Sequence, residues 1–264
     1  MSTFPDAGAK LSTEYPVGAG NIAQGRLKGA ILLLGSLYWE GNEEEQDSEK
    51  GRARKEWRIT HLLEGSIKEL AGLPIRYGRR SQSRNGQFTI LFAGESHGVA
   101  KVATLAKGPP IGGNVGLEIT VAALKDEVIA LAKAEEIYKE GKNDRHWAKW
   151  GLVAIGINPQ SEHAEPIRDM WKRTLAPTTD FKPQDFGPGI IDQFAILNKA
   201  LPWESEGLKG IDFCLLTLTT PRGRLPTPME IAKAIKLSSY FHRTAASGII
   251  TPDDDQIRRH LADK

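Results

Sequence analysis

Three strand-like segments, Leu73 to Gly78, Gln87 to Ala93 and Val99 to Leu105, follow one another with too few residues between them to hold a helix. Parallel strands need a crossover of about a dozen residues or more, so these segments can be neighbours only as antiparallel strands. Asn85-Gly86 and the Gly94 to Gly98 stretch supply the turn chemistry, and the reading is an antiparallel meander. Later strands, at Leu152 to Ile157, Ile190 to Leu197 and Ile211 to Leu218, alternate with helices. The combination predicts an α+β fold: a mixed, mainly antiparallel small barrel or sheet with flanking helices, carrying a C-terminal α/β extension, rather than a doubly wound parallel sheet.

The first firm element is the apolar run Gly29-Ala-Ile-Leu-Leu-Leu34, short and bounded by glycine, which reads as a buried strand ending at Gly35-Ser36-Leu37. Residues 40 to 49 carry six acids and no base, the pattern of a solvated loop. A helix is expected over 53 to 71, with Ile59, Leu62, Leu63, Ile67 and Leu70 as its core-facing stripe and Gly72 with Pro74 as its stop. A long helix is expected from Leu117 to Tyr138, and another behind Pro166 with Ile167, Met170, Trp171 and Leu175 inward. Thr227-Pro-Met-Glu230 and Thr251-Pro-Asp-Asp254 each place a capping Thr, a first-turn Pro and a capping-box acid in register. Residues 1–25 read as a loose arm, 26–157 as the main α+β domain, and 158–264 as an extension packed on the same core.

Composition narrows the functional classes. With 264 residues, 40% hydrophobic and 26% charged, the chain is large enough to bury a core without staples. Cys214 is the single cysteine, so neither an internal disulfide nor a thiolate zinc cage is available, and a reducing, cytoplasmic setting is expected. The longest uncharged apolar run, Gly29 to Trp39, is far short of the roughly 20 residues that span a bilayer, and no basic-then-apolar leader opens the chain, so no membrane association is expected. A net charge of +2 gives no global field, so no nucleic-acid partner is expected.

Several motifs can be weighed on their physical context. Gly94-Glu-Ser-His-Gly98 spells a nucleophile elbow, but no crossover helix fits between Gly78 and Gln87, and Val99 to Leu105 reads as a strand rather than a helix, so a glycine-bounded turn is the better reading. Gly18-Ala-Gly20-Asn-Ile-Ala23 has neither the strand nor the helix that a dinucleotide fingerprint requires. Residues 51 to 84 hold nine bases against three acids. Arg76, Arg79 and Arg80, where a strand ends in a turn, could converge on a carboxylate or phosphate, or the run could pair with the acidic stretch beside it.

Glu135 is the sharpest anomaly. Positions 117, 121, 124, 128, 131 and 138 line one helical face, and 135 is the missing member, so a carboxylate occupies the core-facing stripe. Such a group either finds donors, as in a structural salt bridge with an arginine, or has the raised pKa that suits a general acid or base.

Gly35-Ser-Leu-Tyr-Trp-Glu-Gly41, directly after an apolar strand, resembles the Y-G-S-L-x-x-G substrate loop of the gamma-glutamylcyclotransferase-like family. Gly98-Val-Ala-Lys-Val102 resembles its G-x-A-x-x-V strand, and Ala134-Glu135 near a helix end is similar in placement to its catalytic Glu. The resemblance spans about residues 27–157; Leu34 stands where the family has Tyr, and the stretch after Glu135 departs from the family's glycine-rich pattern. It implies a small mixed barrel and an enzyme that cyclises a γ-glutamyl amide, releasing an amine and 5-oxoproline, with Glu135 moving the proton. The backbone of Gly35, Ser36 and Leu37, with Tyr38, would hold the substrate, and no metal or other cofactor would be needed. The alternatives are a non-catalytic module that captures an anionic small molecule or nucleotide with this loop, Arg76, Arg79 and Arg80, and a protein-interaction subunit whose contact surface is the C-terminal half.

Overall fold

The computed structural model describes residues 26–42, 48–81, 86–93, 97–107, 116–138, 146–177, 181–221, 223–235 and 239–262. The expected arm, the Gly18 motif, the centre of the acidic stretch, Arg84 and residues 94–96 of the nucleophile-elbow motif lie outside them. In chain order the elements are β1 (Gly29–Leu33), α1 (Ser36–Trp39), α2 (Glu49–His61), β2 (Lys68–Leu73), β3 (Ile75–Arg80), β4 (Phe88–Phe92), β5 (Gly98–Thr104) and α3 (Gly116–Ala134). There follow β6 (Trp147–Ala148), β7 (Gly151–Ile157), α4 (Ala164–Thr174), a 3-10 turn at Pro183–Phe186, β8 (Phe213–Thr219), α5 (Pro228–Ile235), α6 (Tyr240–Ala246) and α7 (Asp254–Ala262).

The fold is α+β: a curled half-barrel sheet in the order β2-β5-β1-β8-β7-β6, with β3 and β4 as a separate two-stranded sheet. β1 runs parallel to β8 and antiparallel to β5, and the remaining neighbours in the large sheet are antiparallel. β1 is wholly buried because both faces are covered, which is why it reads as an unbroken apolar run. Alternate side chains go to opposite faces. Ile31 and Leu33 pack with Trp57, Leu124, Val128, Leu131 and Trp171. Ala30 and Leu32 pack with Tyr77, Ile90, Phe92, Leu216, Ile231 and Tyr240.

Three expectations are corrected. The helix expected over 53 to 71 is α2, which ends at His61, and Lys68–Leu73 is instead the edge strand β2. Its inward face is Gly51, Arg54, Trp57 and Arg58, while Ile59 is 73% exposed and Leu63 and Ile67 are also exposed. The meander is broken: β3 and β4 pair as expected, but β5 leaves β4 and inserts between β1 and β2. Ile190 to Leu197 forms isolated bridges, Ile155 with Ile196 and Ile191 with Leu197, rather than a strand. The capping box at Thr227 closes reciprocally, the Glu230 amide donating to the Thr227 hydroxyl and the Thr227 amide to the Glu230 carboxylate; at Thr251 only half of it forms, the amide and hydroxyl both donating to Asp254 Oδ1 while the Asp254 amide donates to the Thr251 carbonyl. Among the described residues, no helix is long and apolar enough to cross a membrane.

Candidate functional site

The loop that leaves β1 is shaped by Gly35. Its φ of +52° lies where a side chain is strained, and a Cβ built there would overlap the Tyr240 hydroxyl. The chain then closes the single turn α1, in which the Leu37 and Tyr38 amides donate to the carbonyls of Leu34 and Gly35. Ser36 and Leu37 are buried, and Tyr38 is half-buried, with the Lys101 ammonium 6.0 Å from its ring centre.

Glu135 reaches this loop through an arginine. The Ile137 amide donates to the Ala132 carbonyl and the Glu136 amide to that of Lys133, with Glu136 at φ 60°. This is the Schellman closure of α3, and it makes Glu135 the C-cap residue. Its side chain, 16% exposed, accepts from Arg54 Nη2 at 2.7 Å. Arg54 Nη1 donates to Ser36 Oγ at 2.6 Å and also to Glu40 Oε2, and Arg54 Nε donates to the Ala134 carbonyl at 3.0 Å. Arg54 is 2% exposed. One guanidinium thus ties the loop, the acidic stretch and the end of α3 together.

Arg58, one turn on, donates from Nη1 to the Leu37 carbonyl at 2.6 Å and from Nη2 to the Glu40 carbonyl and Asn42 Oδ1. Burial, then the neighbouring Arg54 charge, pulls its pKa down to about 10. Two buried guanidiniums face the two carboxylates Glu40 and Glu135, so the cluster balances its own charge, the condition under which ions tolerate a low-dielectric interior.

The pairing extends along α2 and α3. Lys50 meets Glu136, Arg54 meets Glu135, and His61 Nδ1 lies 2.9 Å from Glu127 Oε2. As the numbers rise on α2 they fall on α3, the register of an antiparallel helix pair. A cleft of about 490 Å³ opens beside its far rung, between His61, Lys125, Lys133 and Tyr138; neither Glu135 nor the Gly35 loop lines it.

The remaining candidates sit on β3. Arg76 pairs with Asp253 at 3.0 Å. Arg79 Nη1 donates to the carbonyls of Trp150 and Thr220, both at 3.1 Å, and its guanidinium stacks 5.2 Å from the centre of the Trp150 ring. These bonds tie the two arginines to α7 and to the end of β8, whereas Glu135, Ser36 and the loop share Arg54.

Sequence reasoning passed over α6. Tyr240 packs edge-on to Trp39 with ring centres 5.7 Å apart, Trp39 Nε1 donates to Thr244 Oγ1 at 3.2 Å, and the Arg243 guanidinium lies 5.5 Å from the Trp39 ring centre. The segment Tyr240-Phe-His-Arg-Thr-Ala-Ala246 is short, and its N-cap Ser239 makes no side-chain capping hydrogen bond, so nothing local placed it beside the loop. Among the described residues, no group of three or more His, Cys, Asp or Glu side chains is placed to hold a metal ion. Comparison with family models, with curated proteins and with solved structures gave no match to this chain.

Proposed function

We propose that the protein is a cytosolic cyclotransferase-like enzyme that acts on a small γ-glutamyl or related amide and releases an amine and 5-oxoproline. One observation carries this reading: the carboxylate of Glu135 and the hydroxyl of Ser36 are held by the same buried guanidinium, Arg54. The residues of the family resemblance that lie far apart in sequence are thereby neighbours in space.

The reaction asks little covalent work of the protein. The substrate's α-amine nitrogen bonds to its own γ-carbonyl carbon, the amide C–N bond breaks, and one proton travels from the attacking nitrogen to the departing one. Holding the folded conformer supplies much of the acceleration, since orientation alone contributes about 7 to 11 kcal/mol in ideal cases. Glu135 takes the proton and returns it, and fixing one carboxylate oxygen on Arg54 leaves the other to do so. The backbone at Gly35 offers the close approach that a bound carboxylate needs.

A second reading has its own observation. Arg54 meets Glu135 as one rung of the α2–α3 ladder, so the pair also serves as a helix-to-helix strut, and the loop alone could then be a non-catalytic receptor for a small anionic molecule. Incubation with γ-glutamyl dipeptides separates the two. The enzymatic reading expects 5-oxoproline by mass spectrometry and its loss in Glu135→Gln; equal product from both proteins removes Glu135 from the mechanism, and no product leaves the receptor reading.

A further inference from the structure

The cleft beside the far rung of the α2–α3 ladder lies apart from Glu135 and the Gly35 loop. Its volume of about 490 Å³ falls within the roughly 300 to 1,000 Å³ of small-molecule sites. Ile129 and Ala130, consecutive on α3 and partly buried, give it an apolar patch. Lys125, Asp126, Lys133 and Tyr138 supply its polar lining from the α3 side, and His61 from the end of α2. An apolar patch with a few polar groups converging on it is the make-up of a ligand site.

His61 is held in place by the protein itself. Its carbonyl accepts from the Ala106 amide, its ring stacks on buried Trp57 with centres 6.2 Å apart, and its Nδ1 lies 2.9 Å from Glu127 Oε2. A neutral imidazole bonded to a carboxylate through Nδ1 carries its hydrogen there, which makes Nε2 an acceptor. Nε2 has no hydrogen-bond partner among the described residues, and Glu127 is not part of the cleft lining, so the Nε2 edge is the one the ring presents to the cleft. The charge comes from Lys133, whose ammonium stands 5.1 Å from the Tyr138 ring centre. Lys133 lies six residues beyond Glu127, about 9 Å along the helix. Lys125 and Asp126 offset each other, so the cleft is positive at its Lys133 end and accepts a hydrogen bond at its His61 end.

We propose that this cleft binds a small hydroxyl-bearing organic anion with an apolar body. The anionic group meets Lys133, the body lies against Ile129, Ala130 and the Tyr138 ring, and the hydroxyl donates to His61 Nε2. The cleft shares no residue with the Gly35 loop, so the site stands or falls independently of the cyclotransferase reading.

Three probes of similar size test it: 3-(4-hydroxyphenyl)propanoate, its methyl ether at the phenol, and its neutral primary amide. Each is titrated into the full-length, nitrogen-15-labelled protein, and the backbone amide signals of Ile129, Ala130 and Lys133 are followed by NMR. The hydroxy acid should move these signals and bind about tenfold more tightly than either the ether or the amide. His61→Asn keeps a donor for Glu127 near the place of Nδ1 and has no atom at Nε2, so it should remove the preference for phenol over ether. Lys133→Met, at an exposed position, should remove the preference for acid over amide. The three probes on the unmodified protein decide the matter even where His61→Asn fails to fold. No movement of these signals at millimolar probe, equal affinity for phenol and ether, equal affinity for acid and amide, or a phenol preference that survives His61→Asn overturns the proposal.

Discussion

Arg54 donates to Glu135 at 2.7 Å from inside the protein, with only 2% of its side chain exposed. Removing one member of a buried pair costs more than the pair contributed, because the other charge stays behind without compensation. Arg54→Met removes the one guanidinium that Glu40, Glu135, the Ser36 hydroxyl and the Ala134 carbonyl share. A loss of about 3 to 5 kcal/mol is expected, read from the urea midpoint. Arg54→Lys should recover little of it, since a single ammonium cannot reach four acceptors in the guanidinium's planar geometry.

Gly35→Ala should destabilise by more than the roughly 1 kcal/mol of an ordinary left-handed residue, because the new methyl also meets the Tyr240 hydroxyl. Taking that hydroxyl away relieves the closer contact, the ring carbon behind it lying 3.0 Å from the same Cβ position. The double variant Gly35→Ala with Tyr240→Phe should therefore be more stable than additivity allows; strictly additive unfolding energies would show that the two side chains do not meet.

Glu136→Gly should act the other way. Glu136 occupies the left-handed position of the α3 closure, where glycine carries no Cβ penalty, and its pair with Lys50 is largely exposed and contributes little. A gain of about 0.5 to 1 kcal/mol in denaturant unfolding is the expected result. A loss of that size would mean that the Lys50 rung outweighs the backbone strain.

His146 sets an acid limit. Burial pushes its pKa down from 6.5 to about 4, and its Nε2 has no hydrogen-bond partner among the described residues, with Trp147 and Trp171 edge-on to the ring. The folded state therefore refuses a proton that the unfolded chain accepts. Its contribution is intact above pH 6.5, falls as the pH drops through the interval, and is gone below about pH 4, about 3 kcal/mol in all. His146→Phe should flatten the stability curve between pH 6.5 and 4; an unchanged slope assigns the acid loss to other groups.

How much of the fold is legible in the sequence depends on which residues obey the apolar-inward rule. β1, β7 and β8 are covered on both faces and read as continuous apolar runs, and α4 buries the expected Ile167, Met170 and Trp171. α2 breaks the rule: its inward face carries Arg54 and Arg58, and a buried arginine is indistinguishable in sequence from the solvated ones around it in the 51–84 cluster. The gap at 135 in the α3 stripe pointed to an inward carboxylate, yet its partner lay in that cluster and could not be named. The pairing of β5 with β1 and β2 was hidden for a different reason. Adjacent strands pair by default, and nothing in the residues of β4 and β5 announces that the chain leaves the hairpin. Tyr240 escaped notice because contact between a tyrosine and a glycine about two hundred positions earlier leaves no local pattern.

β8 lies between β1 and β7, with Phe213 opposite Gly29. During synthesis β1 leaves the ribosome long before the strand that will flank it, so half of its ladder must wait through the translation of more than half the chain. Until β8 arrives the nascent chain carries an open, greasy edge on β1, so the closing of the large sheet is timed by the synthesis of Phe213–Thr219.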